Sequence, residues 1–211
     1  MTIIYEDYSR LCGFYDDAAF SVALLEHKED AAKLYAIAFQ EKFKKILGDT
    51  EAVTELMKNG INRYNAISAV SSDNELLGIS GFHLNKTSLV GLKLKDFTTH
   101  FGYFRGCFKY IILAILFYRK PDTETQLLMD GIAVKEGNRG QGIGKLLFSE
   151  LEQFARDKNL SSIKLDVIDE NPKAKKLYER IGFVYTKHQK LPLFIFKLIG
   201  VSGVTTMVKK L

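Results

Sequence analysis

The sequence predicts one mixed α/β domain built around a single sheet, and three observations lead to this fold class. First, 211 residues, 46% of them hydrophobic, suffice for one packed core and hardly for two. Second, the last third of the chain alternates strand, loop, helix, strand, helix and strand. Third, helical segments and a hairpin occupy the first half, with no Pro- or Ser-rich linker between the halves.

The N-terminal half predicts the helices and the hairpin. In chain order we expect an irregular leader, a strand, two helices and the two strands of a hairpin, over residues 1–16, 19–25, 30–47, 51–58, 64–70 and 76–84. The strands are short apolar runs, and a polar turn over 71–75 joins the last two. The helices have apolar residues three and four positions apart, and Gly48 and Gly60 supply their C-terminal stops.

Segment 85–120 is basic and rich in aromatic residues. It has seven Lys or Arg residues and one acidic residue, whereas the whole chain has a net charge of +5. A basic surface attracts anions, although a solvated basic face is an equally good interpretation. Its later part, residues 104–115, predicts an amphipathic or buried helix, and Pro121 ends that helix.

The last third has the clearest boundaries. We expect a buried strand, a Gly-rich loop, a helix, a second strand, a second helix and three further strand segments, over residues 127–134, 137–144, 142–158, 163–167, 171–182, 183–185, 193–198 and 204–208. Asn171 is a capping residue, Pro172 suits the first helical position, and Gly182 suits the end of that helix.

Composition favours a soluble, cytoplasmic protein. The longest apolar run, residues 110–118, is nine residues long, whereas a membrane-spanning helix needs roughly 20. The N-terminus has neither the basic nor the apolar region of a secretory signal. Cys12 and Cys107 are too few for a disulfide framework or a four-cysteine zinc site, which suits a reducing compartment.

The sharpest chemical signal is the segment Arg139-Gly-Gln-Gly-Ile-Gly-Lys145, between a predicted strand and a predicted helix. Its three glycines permit positive φ angles and a close approach of the backbone to a ligand. N–H groups at a helix start have no partner within the helix, and the helix dipole adds positive charge there. Such a loop is suited to phosphate, with charge added by Arg139 and Lys145; the alternative is a tight turn without a ligand.

The sequence does not contain the motifs of other common nucleotide, metal or hydrolase sites. A Walker loop requires G-x-x-x-x-G-K-[ST], but only three residues separate Gly140 from Gly144, and Leu146 follows Lys145. A dinucleotide fingerprint would place its third glycine at Lys145 or Leu147. The four scattered histidines show no metal-ligand spacing, so no metal is expected, and no G-x-S-x-G elbow of a hydrolase occurs.

Two motifs resemble those of a known family. The loop matches the pattern R/Q-x-x-G-x-G/A through Arg139, Gly142 and Gly144, and here the chain resembles the GNAT superfamily of N-acetyltransferases. A second segment, NPKAKKLYERIGF over residues 171–183, is similar to the family's N-x-x-A-x-x-L-Y-x-x-x-G-F. The resemblance covers about residues 127–185, with the two motifs at the expected separation.

The resemblance implies a fold and a domain organisation. The expected fold is a single mixed, mostly antiparallel sheet flanked by helices, within one N-acetyltransferase domain over residues 1–211. Residues 127–185 would form its acetyl-CoA-binding core. The insertion at about 85–120 is longer than the family's usual connection, so acceptor specificity does not follow from the resemblance.

The resemblance also implies which residues hold acetyl-CoA. Loop N–H groups would bind its pyrophosphate, the strand end would pair with its pantetheine arm and stabilise the oxyanion, and an asparagine would contact the arm. The residues concerned are Ile132, Ala133, Val134, Arg139, Gly140, Gln141, Gly142, Ile143, Gly144, Lys145 and Asn171.

Two catalytic residues are expected. Tyr178 matches the family hydroxyl that protonates the departing thiolate, although core packing is the alternative role for this side chain. Asp130 is a candidate general base on the strand before the loop, on the same face as Ile132; the alternative is that it only anchors the strand. His83, at the end of the hairpin, is a weaker candidate for the acceptor side.

The predicted reaction is direct transfer of an acetyl group from acetyl-CoA to an amine. Neither cysteine lies in a motif, which argues against an acyl-cysteine route. The alternative is a non-catalytic acyl-CoA sensor or scaffold. The acceptor is a small-molecule or peptide amine, and no nucleic acid is expected.

For the helix within 100–118, a lid over the acceptor cleft is preferred, while a homodimer contact and a membrane-surface contact stay open as alternatives.

Overall fold

The fold is a seven-stranded mixed sheet with helices on both faces, in a computed structural model that describes residues 20–24, 27–38, 46–84, 86–116 and 118–211. The strand order is β1-β2-β3-β4-β5-β7-β6, and every neighbouring pair is antiparallel except β4 and β5. The predicted fold class, a mixed and mostly antiparallel sheet flanked by helices, is confirmed. The predicted leader over 1–16 lies outside the described residues.

The helices and strands have the following bounds. The strands are β1 Phe20–Leu24, β2 Ala66–Ser71, β3 Leu76–His83, β4 Gln126–Val134, β5 Ser162–Ile168, β6 Val184–Lys190 and β7 Gly203–Lys210. The helices are α1 Lys28–Ala38, α2 Thr50–Gly60, α3 Leu94–Phe101, α4 Tyr103–Leu116, α5 Ile143–Asp157, α6 Pro172–Arg180 and α7 Leu193–Ile199. Short 3-10 turns cover Arg63–Asn65 and Glu136–Asn138.

The parallel pair β4 and β5 separates soon after it forms. Its ladder has three residue pairs and ends at Leu128 opposite Lys164, although β4 continues to Val134 and β5 to Ile168. Beyond that point β4 pairs with β3 on one side, and β5 pairs with β7 on the other. The two facing edges therefore have no partner strand in the described chain, and we call the opening between them the β4–β5 gap.

A β-bulge interrupts β4 at Asp130. Met129 pairs with Phe82 and Gly131 with Gly81, so Asp130 has no residue opposite it on β3. One extra residue reverses the alternation of faces along a strand. Gly131, at φ 150°, takes up the backbone change.

The sheet separates two hydrophobic cores. The first core lies between the sheet and α1, α2, α3 and α4, and residues of α7 join it. The second lies between the sheet and α5, and α6 packs against it. Met129 belongs to the second core and Ala133 to the first, as the bulge between them requires.

The structure corrects two predicted elements. Residues 193–198 form the helix α7 and not a strand. Five of these six residues are apolar, and so short a run does not distinguish a strand from a helix by periodicity; Pro192 and the left-handed Gly200 delimit a helix here. The insertion contains two helices, α3 and α4, where the sequence predicted one; Gly102, at φ 79°, separates them. Part of the helix predicted over 30–47 lies outside the described residues.

Helix α4 has two different faces. Leu113 is buried against the first core, whereas Tyr103, Phe104, Phe108 and Ile111 are exposed. Among the helices of the described residues, none combines the length and the apolar character that crossing a bilayer requires.

Candidate active site

The Gly-rich loop turns from the end of β4 into α5 through two left-handed glycines. Gly140 has φ 83° and Gly142 has φ 84°, conformations that a residue with a side chain adopts only with strain. A Cβ atom at either position would meet no atom within 4 Å. The two glycines are therefore required by backbone conformation and not by crowding within the chain.

Gly144 has a different explanation. It lies in the first turn of α5, its φ is not positive, and a Cβ there would make only ordinary contacts of 3.9 Å with Val134 and 4.0 Å with Ile132. Nothing in the ranges that the structure describes requires a glycine at this position. Its absent side chain leaves space beside the end of β4, which suits the close approach of a ligand.

The loop presents a row of unused backbone donors. The N–H groups of Lys145 and Leu146 both donate to the Gly142 carbonyl, at 2.9 and 3.0 Å. Those of residues 140–144 meet no acceptor among the described residues. Free donors at a helix N-terminus, with Arg139 and Lys145 exposed beside them, form an anion-binding arrangement.

The strand end beside the loop presents main-chain groups to the β4–β5 gap. The Lys135 N–H donates to the Leu77 carbonyl on β3 at 2.8 Å. Because alternate residues of a strand face opposite edges, Ala133 also directs its main chain at β3, whereas Ile132 and Val134 direct theirs at the gap. Of the three predicted pantetheine contacts, Ile132 and Val134 are thus placed to make one. Ala133 is not, since its main chain is directed at β3.

Asn171 and Tyr178 lie on α6, which follows β5. The Asn171 side chain accepts a hydrogen bond from the Ala174 N–H at 3.1 Å, so it is the N-cap of α6. The Tyr178 ring packs edge-on against Phe183, with centroids 5.7 Å apart, on the α5 side of the sheet. Burial raises the pKa of the Tyr178 hydroxyl, which therefore stays protonated, and it has no acceptor among the described residues.

Asp130 lies on the opposite side of the sheet from Tyr178. Its side chain is 4% exposed, and one oxygen, Oδ1, accepts hydrogen bonds from His83 Nε2 and Arg119 Nη2, both at 2.6 Å. The prediction that Asp130 shares a face with Ile132 is wrong, because the bulge turns Asp130 toward the first core while Ile132 packs against the second.

Asp130 borders a cavity of about 350 Å³ between the sheet and the helices of the first core. Its wall is mostly apolar and aromatic, and the residues lining it are Tyr35, Leu47, Met57, His83, Ser88, Val90, Leu92, Phe97, Tyr110, Leu113, Ala114, Tyr118, Arg119 and Asp130. Burial raises the pKa of Tyr35 far above its usual range, and the Asp130 carboxylate raises it further while Arg119 opposes this. A volume of this size suits a small molecule or one residue of a peptide.

Sequence reasoning missed two members of this site, Arg119 and Tyr35. A single basic residue after an apolar run, and one tyrosine on an apolar helix face, are patterns too common to identify a site. Only the fold brings them to Asp130. Within the described ranges, no three His, Cys, Asp or Glu side chains come together as metal ligands would.

The family model described as Acetyltransferase (GNAT) family matches residues 29–183. The chain belongs to the GNAT acetyltransferase family. This match confirms the resemblance inferred from the two motifs and the acyltransferase class predicted from them. It also extends the family relationship across the N-terminal half, where no motif indicated it.

Solved GNAT structures share the fold. An acetyltransferase crystal structure superimposes with a TM-score of 0.58 at 20% identity, over 90% of this chain and 98% of that chain. A GCN5-related N-acetyltransferase from Kribbella flavida gives 0.55 at 16% identity, over 92% and 98%.

Curated relatives match over shorter segments. N-acetyltransferase 8F1 of Rattus norvegicus is 32% identical over 94 residues, which are 44% of this chain and 42% of the relative. Streptothricin acetyltransferase of Streptomyces lavendulae is 35% identical over 60 residues, 28% of this chain and 32% of the relative. The aligned segments thus span less than half the length of either relative.

Proposed function

We propose that this GNAT protein transfers an acetyl group from acetyl-CoA to a small-molecule or peptide amine, within one domain whose cofactor core is residues 127–185. The observation that carries the proposal is that the free loop N–H groups of residues 140–144 adjoin the unpaired edge of β4. Together they provide an anion site and a strand-like slot in continuous order, which suits a phosphorylated ligand with an extended arm.

The residues present fit coenzyme A. The loop N–H groups and the charges of Arg139 and Lys145 suit its pyrophosphate, and Gly144 leaves room for it. The N–H groups of Ile132 and Val134 suit the amides of its pantetheine arm. The four residue steps from Val134 back to Asp130 span about 13 Å of strand, so an arm along this edge leads from the loop toward the cavity.

The positions of the proposed general acid, Tyr178, and of the cavity proposed to hold the amine support direct transfer. When bound, acetyl-CoA supplies the thioester carbonyl that the amine attacks. Tyr178 faces one side of the sheet and Asp130 the other, and the gap connects the two sides. Tyr178, neutral and with no acceptor in the described part of the chain, protonates the departing thiolate, while the proton of the amine leaves on the cavity side, where Asp130 lies.

The cavity suits an amine with an apolar or aromatic body. The Asp130 carboxylate is already paired with Arg119, and Tyr110 and Phe97 contribute aromatic wall. Two relatives are named for a small-molecule substrate each, thialysine N-epsilon-acetyltransferase of Sus scrofa and streptothricin acetyltransferase. Both names agree with an amine acceptor.

The test is calorimetric titration with acetyl-CoA, with ATP and NAD as controls, followed by thiol release in the presence of an amine panel. Gly142→Ala should weaken acetyl-CoA binding at least tenfold because the loop donors no longer converge. Gly102→Ala is the matched control, since its φ is also positive and its Cβ would also meet nothing within 4 Å. Absence of binding, or equal affinities in both variants, would contradict the proposed site.

A further inference from the structure

Asp130 is poorly placed to remove a proton itself. Its side chain is 4% exposed, and its Oδ1 atom already accepts from two donors at 2.6 Å. Its negative charge is paired directly with the Arg119 guanidinium, which lies in the same cluster. A buried carboxylate that accepts from two donors is suited to hold those donors in place.

His83 differs from Asp130 in each of these respects. The Asp130 oxygen can only accept, so His83 Nε2 carries the hydrogen of their bond, and Nδ1 keeps its lone pair. Nδ1 has no partner among the described residues, and the imidazole is 25% exposed where it lines the cavity. A histidine with one nitrogen fixed by a carboxylate and the other free is the usual arrangement of a general base.

The position of His83 along the sheet matches the gap. His83 pairs with Leu128 on β3–β4, and Leu128 is also the last β4 residue that pairs with β5. The imidazole therefore lies at the level where the gap begins, at the end toward which an arm bound along β4 would run. The reacting end of such an arm and an amine in the cavity would meet beside His83.

From this geometry we propose that Nδ1 of His83 is the proton acceptor of the reaction and that Asp130 is a positioning residue for His83. The inference rests on the proposed acetyl transfer. The acceptor enters as an ammonium, and one N–H proton moves to Nδ1. The nitrogen lone pair forms the C–N bond, and the C–S bond breaks. The thiolate takes the Tyr178 proton, the second N–H proton restores Tyr178 through solvent, and His83 releases its proton to water.

Several other titratable groups surround His83 in the cavity. Tyr35 from α1, Tyr110 from α4, Tyr118 and Arg119 before β4, and Asp130 on β4 all line it, whereas α2 and α3 contribute apolar side chains. Arg119 and Asp130 are the two oppositely charged groups among them. A tyrosine hydroxyl is ordinarily a proton donor and not a base near neutral pH, so these tyrosines do not replace His83.

The activity test uses His83→Gln, whose amide keeps a donor for Asp130 but has no base. At saturating acceptor, its kcat should fall about 100-fold or more, while calorimetric affinity for acetyl-CoA is unchanged. In the wild type, kcat should fall on acidification because a general base works only in its unprotonated form; His83→Gln should lack this acidic limb. The matched control is His188→Gln, because His188 also bonds a carboxylate, Asp169, at 3.0 Å, but on the exposed strand β6.

Asp130→Asn separates base from positioning residue. Without the carboxylate, the base is present but no longer held in place, so kcat should fall while the acidic limb persists. A limb that disappears in Asp130→Asn but remains in His83→Gln would overturn the proposal, as would a kcat of His83→Gln within twofold of wild type. Wild type that binds acetyl-CoA but releases no thiol with any amine would instead contradict the proposed function.

A second readout needs no acceptor. Long-range ¹H–¹⁵N spectra of the histidine rings report the tautomer, and we expect neutral His83 in the Nε2–H form in wild type. The His83→Gln spectrum assigns the signal by its loss. An Nδ1–H tautomer would overturn the inference about the base whether or not an acceptor is found.

Discussion

Replacing Gly106 with alanine should loosen the packing of α4 on α3, which both line the cavity. Gly106 is buried where the two helices cross. A Cβ atom there would lie 2.5 Å from the Phe97 carbonyl oxygen and 2.6 Å from the Thr98 Cα atom. Both are backbone atoms, so no change of rotamer relieves the contact. To restore even 3.0 Å, the helices must separate by about 0.5 Å.

The expected loss of stability follows from two opposed effects. Overpacking of this kind costs about 1–3 kcal/mol, and contact with rigid backbone places this case at the upper end. Alanine has a higher helix propensity than glycine, which stabilises the helix by about 1 kcal/mol and offsets part of this cost. The net destabilisation is therefore about 2 kcal/mol, which for a chain of this length lowers Tm by about 4–8 °C.

Thermal melts followed by circular dichroism measure this difference on the full chain. Gly137→Ala is the control, because a Cβ there meets no atom within 4 Å and its φ is not positive. It should melt within about 2 °C of wild type, as expected for a substitution that touches nothing. A Gly106→Ala protein that melts at or above the wild-type temperature would refute the close helix crossing.

The remaining predictions concern α6. Tyr178→Phe keeps the ring against Phe183 and removes the hydroxyl, so kcat should fall about 10-fold or more with acetyl-CoA affinity unchanged; equal activity would remove Tyr178 from the acid role. Because burial raises the pKa of Tyr178, the loss of its proton, and any alkaline loss of kcat from it, should occur only above the usual range of a tyrosine. Asn171→Ala removes the N-cap of α6, so the free energy of unfolding should fall by about 1 kcal/mol, which thermal melts measure. Asn171→Asp should keep the cap and its Tm yet weaken acetyl-CoA binding in calorimetry, and unchanged affinity would limit Asn171 to capping.

The last third of the fold is predictable because local signals delimit its elements. The helix expected over 142–158 is found at Ile143–Asp157, and the strand expected over 163–167 at Ser162–Ile168. Asn171 and Pro172 start α6 as their residue types indicate. Residues 193–198 show the limit of this reasoning. A short apolar run fits a strand as well as a helix. The flanking residues Pro192 and Gly200 delimit a helix, but the left-handed conformation of Gly200 is not evident from the sequence.

Part of the candidate site was likewise predictable from the sequence, and part was not. The Gly-rich loop and α6 are each defined by a motif of neighbouring residues, so their positions follow from the sequence. The cluster around Asp130 contains His83, 47 positions away in the sequence, and Arg119, 11 positions away. It also depends on a β-bulge that no residue type in the sequence predicts. Alternation of faces is reliable only while the register is regular, and the prediction for Asp130 was wrong because the register changes beside it.

The β4–β5 gap divides the sheet into two half-sheets, which three residue pairs of the β4–β5 ladder and the hydrophobic cores hold together. Strands β1 to β4 form one half-sheet, and β5, β7 and β6 form the other. In native-state hydrogen exchange, we expect the halves of the free protein to open with different free energies, as separate foldons do. A ligand lying in the gap would stand in for the strand that is missing between them. At a concentration 100 times its Kd it would add about 2.7 kcal/mol of stability and make the two halves unfold as one.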